Sequence, residues 1–182
     1  MKKRLFGILF GLAMAVAMLP AMAFADPAGY GVGVNGEEFT SDKLTIDCGS
    51  GTAAYDPAAG NVTLNNAAVS KGDSDAGSGY GIKATGDAKL TITLNGENSV
   101  TLPAGGGIWA AGDVEITGAG NLAINAGGEN YDGISVMGNV SIKGVEVRIN
   151  APGGIGIAGN MVSLDNAELE SKGLYAGVDS CG

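Results

Sequence analysis

The chain has 182 residues, 33 of them glycine, with 10 Lys+Arg against 19 Asp+Glu and no histidine. The acidic balance excludes a nucleic-acid surface, which needs a basic face. Without histidine the commonest general base, the Ser-His-Asp triad and nearly all zinc catalysis are removed, and no catalytic residue is assigned.

The first element is a targeting segment. Lys2, Lys3 and Arg4 precede an uncharged, mostly apolar run from Leu5 to Leu19, then Pro20 and an Ala23-Phe24-Ala25 cleavage pattern. Residues 1–25 therefore read as a secretory signal peptide. The apolar run is shorter than the roughly 20 residues a membrane span needs. Removing it takes away three positive charges and leaves 7 Lys+Arg against 19 Asp+Glu, a net charge of −12. The mature chain is expected to be secreted or held at a bacterial cell surface, with no membrane segment after cleavage. Residues 26–43 read as a leader or cap, and residues 44–182 as a repeat domain.

In that domain the glycines are periodic, which makes repeats the first reading. Gly81-Ile82-Lys83-Ala84, Gly107-Ile108-Trp109-Ala110, Gly133-Ile134-Ser135-Val136, Gly154-Ile155-Gly156-Ile157 and Gly173-Leu174-Tyr175-Ala176 open successive copies. A second alternating segment follows in each complete copy: Leu90–Leu94, Val114–Ile116, Val140–Ile142 and Val162–Leu164. A third comes after a short break: Val100–Leu102, Leu122–Ile124, Val145–Ile149 and Ala167–Leu169. Asn61–Val69 parallels Met161–Leu169 as an earlier half coil. Strict period-2 alternation between Gly, Asn and Asp turns predicts short strands. Three strands per copy predict an all-β parallel solenoid of about four to five coils, whose inward Ile, Val and Leu stack from coil to coil. The fifth copy is short, so a C-terminally truncated repeat array is expected.

Within each Gly-[Ile/Leu]-x segment the residue x should point outward. That column reads Lys83, Trp109, Ser135, Gly156 and Tyr175. Trp109 with Lys83 one coil below, and Tyr175 further along, form a candidate carbohydrate-binding surface, since a ring can stack on sugar C–H faces. The competing reading has Trp109 covered by the N-terminal segment or a loop. A second column, Asp87, Asp113, Asn139, Asn160 and Asp179, falls in turns. Asp87 and Asp113 on neighbouring coils could share a Ca²⁺, a cation that prefers oxygen ligands, or serve as ordinary turn residues. Asp73 to Gly79 carries D-x-D but lacks the rest of an EF-hand loop and reads as a polar linker. Cys48 and Cys181 sit on the order of 20 Å apart along a solenoid, too far for a disulfide.

Tyr55–Ala67, Ile92–Asn98 and the Gly-Ile…Gly-Asp coils resemble a family of secreted bacterial repeat proteins. These are described as carbohydrate-binding domain-containing β-helices, with clostridial cellulose- and pectin-binding members similar in fold to pectate lyases. The resemblance covers roughly residues 44–179. It implies a right-handed parallel β-helix, Ca²⁺ association, and binding of a pectin- or cellulose-like polysaccharide without cleavage. A lyase would want a basic residue beside a Ca²⁺ cluster, but Arg148, the sole arginine after residue 25, alternates in a strand beside Glu146. The expected function is a non-catalytic polysaccharide-binding module. The alternatives are a stalk or adhesin segment of a larger surface protein and a degenerate polysaccharide lyase.

Overall fold

The structure, a computed structural model, describes residues 28–74, 79–174 and 178–180. The expected signal peptide, Tyr175 and Cys181 lie outside the described residues, as does part of the Asp73–Gly79 linker. Among the described residues no helix is long and apolar enough to cross a membrane.

The described chain is all β. Two hairpins come first: β1 (Gly29–Val34) with β2 (Glu37–Thr40), and β3 (Thr45–Cys48) with β4 (Gly51–Asp56). The first turns through Asn35 and Gly36, both at positive φ (56° and 79°), the backbone a tight two-residue hairpin requires. β5 (Asn61–Asn65) and β6 (Ala68–Val69) make the half coil. Four coils follow. The first is β7 (Gly79–Ala84), β8 (Leu90–Asn95) and β9 (Glu97–Leu102). The second is β10 (Gly105–Ala110), β11 (Val114–Gly118) and β12 (Asn121–Ala126). The third is β13 (Ile134–Val136), β14 (Val140–Lys143) and β15 (Glu146–Ala151). The fourth is β16 (Ile157–Gly159), β17 (Val162–Asp165) and β18 (Glu168–Gly173), and β19 (Val178–Ser180) returns to the first sheet.

Like strands of successive coils pair in parallel, which builds three sheets around one narrow core. Sheet A runs β19-β16-β13-β10-β7-β1-β2, sheet B runs β17-β14-β11-β8-β5-β4-β3, and sheet C runs β18-β15-β12-β9-β6. This is the expected β-solenoid. One boundary moves: residues 44–56, assigned above to the parallel domain, pair antiparallel. They close the end of the tube, burying Phe39, Ile46, Cys48 and Ala53. Tyr55 stacks on Phe39 at 5.3 Å and tilts against Tyr30 at 5.5 Å.

Inward residues form ladders. Ile82, Ile108, Ile134 and Ile157 line sheet A. Val62, Ile92, Ile116, Ile142 and Leu164 line sheet B. Val69, Val100, Ile124 and Ile149 line sheet C. Burying one such side chain contributes roughly 1.5–3 kcal/mol, but only where a coil lies on both sides. Ile116 and Ile142 are fully buried, while Leu164 on the fourth coil is 50% exposed.

The corner between sheets B and C uses a left-handed residue in the half coil and in the first, third and fourth coils, while the second coil turns through Gly118 at φ 125°. Asn66, Gly96, Gly144 and Asn166 supply the left-handed residue at φ 48°, 69°, 65° and 50°. Beside this corner Asn98 replaces the apolar residue found in register at Leu122 and Val147. It is buried, accepts the Ala67 N–H at 2.9 Å, and donates to the carbonyls of Asn95, Gly96 and Asn121. A buried amide with its groups paired replaces a core side chain without leaving an unsatisfied dipole.

The frame of the fourth copy is corrected. Ile157, not Ile155, is the register partner of Ile134. Ile155 lies half-buried before β16, its N–H held by Asp132 Oδ1 at 2.8 Å, whereas Ile157 is buried. The outward place after Ser135 therefore belongs to Ala158 rather than Gly156. Asp179 is the register partner of Ala158 on β19, so it lies in a strand and not in a turn.

Candidate functional site

The outer face of sheet A carries a straight row that crosses the strands. Glu38 on β2 pairs with Gly33 on β1, Gly33 with Lys83 on β7, Lys83 with Trp109 on β10, and Trp109 with Ser135 on β13. Ala158 on β16 continues it. Neighbours stand about 4.8 Å apart, the strand spacing. Lys83 and Trp109, two of the residues singled out from the sequence, are thus brought together. Lys83 Nζ lies 5.9 Å from the Trp109 ring centroid, within cation–π range. The ring is half-buried.

The loop before β7 fixes Lys83. Asp73 Oδ2 sits 2.5 Å from Lys83 Nζ, and Asp73 Oδ1 accepts the Tyr80 N–H at 2.7 Å. The Asp73 N–H donates to the Tyr80 carbonyl at 3.1 Å. The D-x-D segment thus supplies an anchor for Lys83 through its first aspartate.

Two aromatics that the sequence reading passed over join the row. Tyr80 crosses Gly106, where an added Cβ would fall 2.4 Å from the ring; only glycine leaves that space. Its ring meets Tyr131 edge-on, with centroids 5.5 Å apart at 71°. Burial, then the charge of Asp132, pushes the Tyr80 phenol up, while contacts with the Ser135 hydroxyl and the Asp132 backbone act the other way. The sequence signal was the position of Tyr80 and Tyr131 just ahead of Ile82 and Ile134, inward residues of the sheet A strands that flank β10 on either side. Tyr80, Trp109 and Tyr131 therefore share one face, with Ser135, Asp132 and Lys83 as its polar groups.

No family model, curated protein or solved structure matches the chain.

The turn aspartates behave differently from one another. Asp113 Oδ1 accepts the Asn139 N–H of the next coil at 2.7 Å, a bond that ties two coils together. Asp87 is exposed. Their turns stack, since a Cβ on Gly112 would fall 2.4 Å from the Asp87 carbonyl oxygen. Among the described residues no group of three or more His, Cys, Asp or Glu side chains is placed to hold a metal. A Ca²⁺ ion takes about six to eight oxygens, so one at Asp87 would draw most of its ligands from water or from a bound glycan.

The faces of sheets B and C are polar. Glu115 receives Lys143 at 2.5 Å and Lys89 at 3.5 Å. Arg148 pairs with Glu146 in its own strand and reaches Glu170 at 3.8 Å. Such exposed pairs contribute about 0–1 kcal/mol each. Arg148 also borders a 390 Å³ groove over sheet C, floored by Ala68, Ser99 and Ala123.

Proposed function

We propose that this solenoid is a non-catalytic, extracellular polysaccharide-binding module that engages its ligand on sheet A. The observation that carries the reading is the aromatic face of Tyr80, Trp109 and Tyr131, with hydroxyl, carboxylate and ammonium groups beside it. Rings of this kind offer apolar surface to sugar C–H faces, and polar neighbours fix the hydroxyls. A row that crosses parallel strands suits an extended chain lying along the solenoid axis. The coil motifs that resemble secreted carbohydrate-binding β-helices favour the same reading, and the signal-peptide pattern favours export. The ligand class proposed is a cellulose- or pectin-like glycan, with Ca²⁺ bridging it to Asp87.

Retention on insoluble cellulose and on immobilised polygalacturonate, each with Ca²⁺ and with a chelator, tests the proposal. Retention on one of them supports it. Passage through both, and through a wider glycan panel, overturns it. Release of unsaturated uronide from polygalacturonate would replace it with a lyase.

A stalk or adhesin segment is the second reading. It is favoured by the fourth coil, where Met161 and Leu164 are 57% and 50% exposed at positions that another coil would cover. Association that grows with protein concentration and disappears in Leu164→Lys would support that reading.

A further inference from the structure

We propose that the sheet A platform selects uncharged glycans over polyuronates, and that the Asp73–Lys83 ion pair sets this selectivity; the inference rests on the polysaccharide reading above. Lys83 is the cation of the aromatic row, and its charge is already answered on two sides. Asp73 Oδ2 stands 2.5 Å from Nζ, and the Trp109 ring centroid lies 5.9 Å away. Burial works to raise the Asp73 carboxyl, but the Lys83 ammonium and the Tyr80 N–H outweigh it and hold it below the usual carboxylate range. Asp73 is therefore ionised at neutral pH, and the pair is a closed one.

Other carboxylates frame the row. Asp132 acts on the Tyr80 phenol from the loop that opens the third coil, two coils along, where Tyr80 reaches it across Gly106. At the other end, Glu37 and Glu38 line a 240 Å³ cleft together with Asp73 and Lys83. The cleft continues the row, because Gly33 stands in register between Lys83 and Glu38 and carries no side chain. A glycan extending from the aromatic face into this cleft meets two ammoniums, Lys83 closed by Asp73 and Lys43 closed by Glu37, and the Glu38 carboxylate, which among the described residues accepts only the Gly31 N–H at 2.8 Å and so leaves the local balance negative. Sugar hydroxyls can donate to those carboxylates, whereas a uronate carboxylate has no proton to give and is repelled. The charge of the whole chain, 10 Lys+Arg against 19 Asp+Glu, adds to that repulsion.

The test measures binding of a neutral β-glucan oligosaccharide and of an oligogalacturonate by the signal-free chain, at low salt and with a chelator present. The expected result is binding of the neutral ligand at least tenfold tighter than the acidic one. Asp73→Asn removes the partner of Lys83 and should shift the neutral-to-acidic affinity ratio at least tenfold toward the uronate. In the wild-type chain, raising salt should increase polygalacturonate retention, since it screens repulsion; this arm stands even where Asp73→Asn does not fold. Oligogalacturonate binding as tight as neutral binding, an Asp73→Asn ratio equal to wild type, or uronate retention that falls with salt would each overturn the selectivity while leaving the polysaccharide reading in place. Binding of neither ligand overturns the selectivity, and failure across the wider glycan panel as well overturns both.

Discussion

Lys83 and Trp109 are register partners on adjacent coils, and the ammonium of one stands 5.9 Å from the ring centroid of the other. Their neighbours make this contact part of an aromatic stretch of the outer surface. Asp73 anchors the lysine, and Tyr80 and Tyr131 extend the face.

Trp109→Ala should weaken binding of a neutral glycan about tenfold, a loss of ~1.4 kcal/mol, near the top of what one aromatic contact adds. Trp109 is the single tryptophan, so intrinsic fluorescence follows the site directly. Saturable change of emission on glycan addition is expected, and unchanged affinity in the variant would move the site off sheet A.

Core positions should differ by their place along the tube. Ile116 is buried between two coils, so Ile116→Ala should cost about 2–5 kcal/mol. Leu164 occupies the same ladder but is 50% exposed, so Leu164→Ala should cost less than about 1 kcal/mol by the area it buries. Urea unfolding of both variants measures the difference. Equal costs would mean that Leu164 is covered in solution.

The B-to-C corner predicts an asymmetric response. Gly144 has φ 65° and nothing near its would-be Cβ, and Asn166 fills the equivalent place one coil on at φ 50°. Gly144→Asn should stay within about 0.5 kcal/mol of wild type, whereas Gly144→Val should cost about 1–2 kcal/mol from left-handed strain. Thermal melts of the two variants check this.

Cys48 is buried and free, and its S–H points to the Ile46 carbonyl. Burial pushes the thiol up from an ordinary 9.0 to about 11. The folded state thus favours the protonated thiol, a stability contribution that is full below pH 9 and lost as pH rises toward 11. In a Cys181→Ser background, labelling by a disulfide reagent at pH 8 should proceed only as fast as unfolding, and the alkaline loss should shrink in Cys48→Ala. Rapid native labelling would contradict the burial.

The alternation of Ile, Val and Leu with polar residues, and the recurrence of Gly-Ile, are local facts, and they were enough for strand type, coil length and the solenoid. They are set by backbone pleating and by the need of each coil to bury one face against the next. Lys83 and Trp109 were also legible, because both follow an inward isoleucine by one residue. The Asn35-Gly36 turn was equally open to reading as a hairpin signal.

The rest depended on lateral register. Ile155 and Ile157 look interchangeable as letters, and the choice between them rests on Asp132 holding the Ile155 N–H in the preceding loop. The union of Asp73, Tyr80 and Tyr131 with the Lys83–Trp109 pair arises from loops of unequal length between coils, which local periodicity does not encode. Local pattern was enough to show that the chain winds into stacked coils and to put a tryptophan on the outside. Which side chains meet that tryptophan follows from the stacking of the coils, because contacts between coils join residues more than 20 positions apart, as in the Lys83–Trp109 pairing.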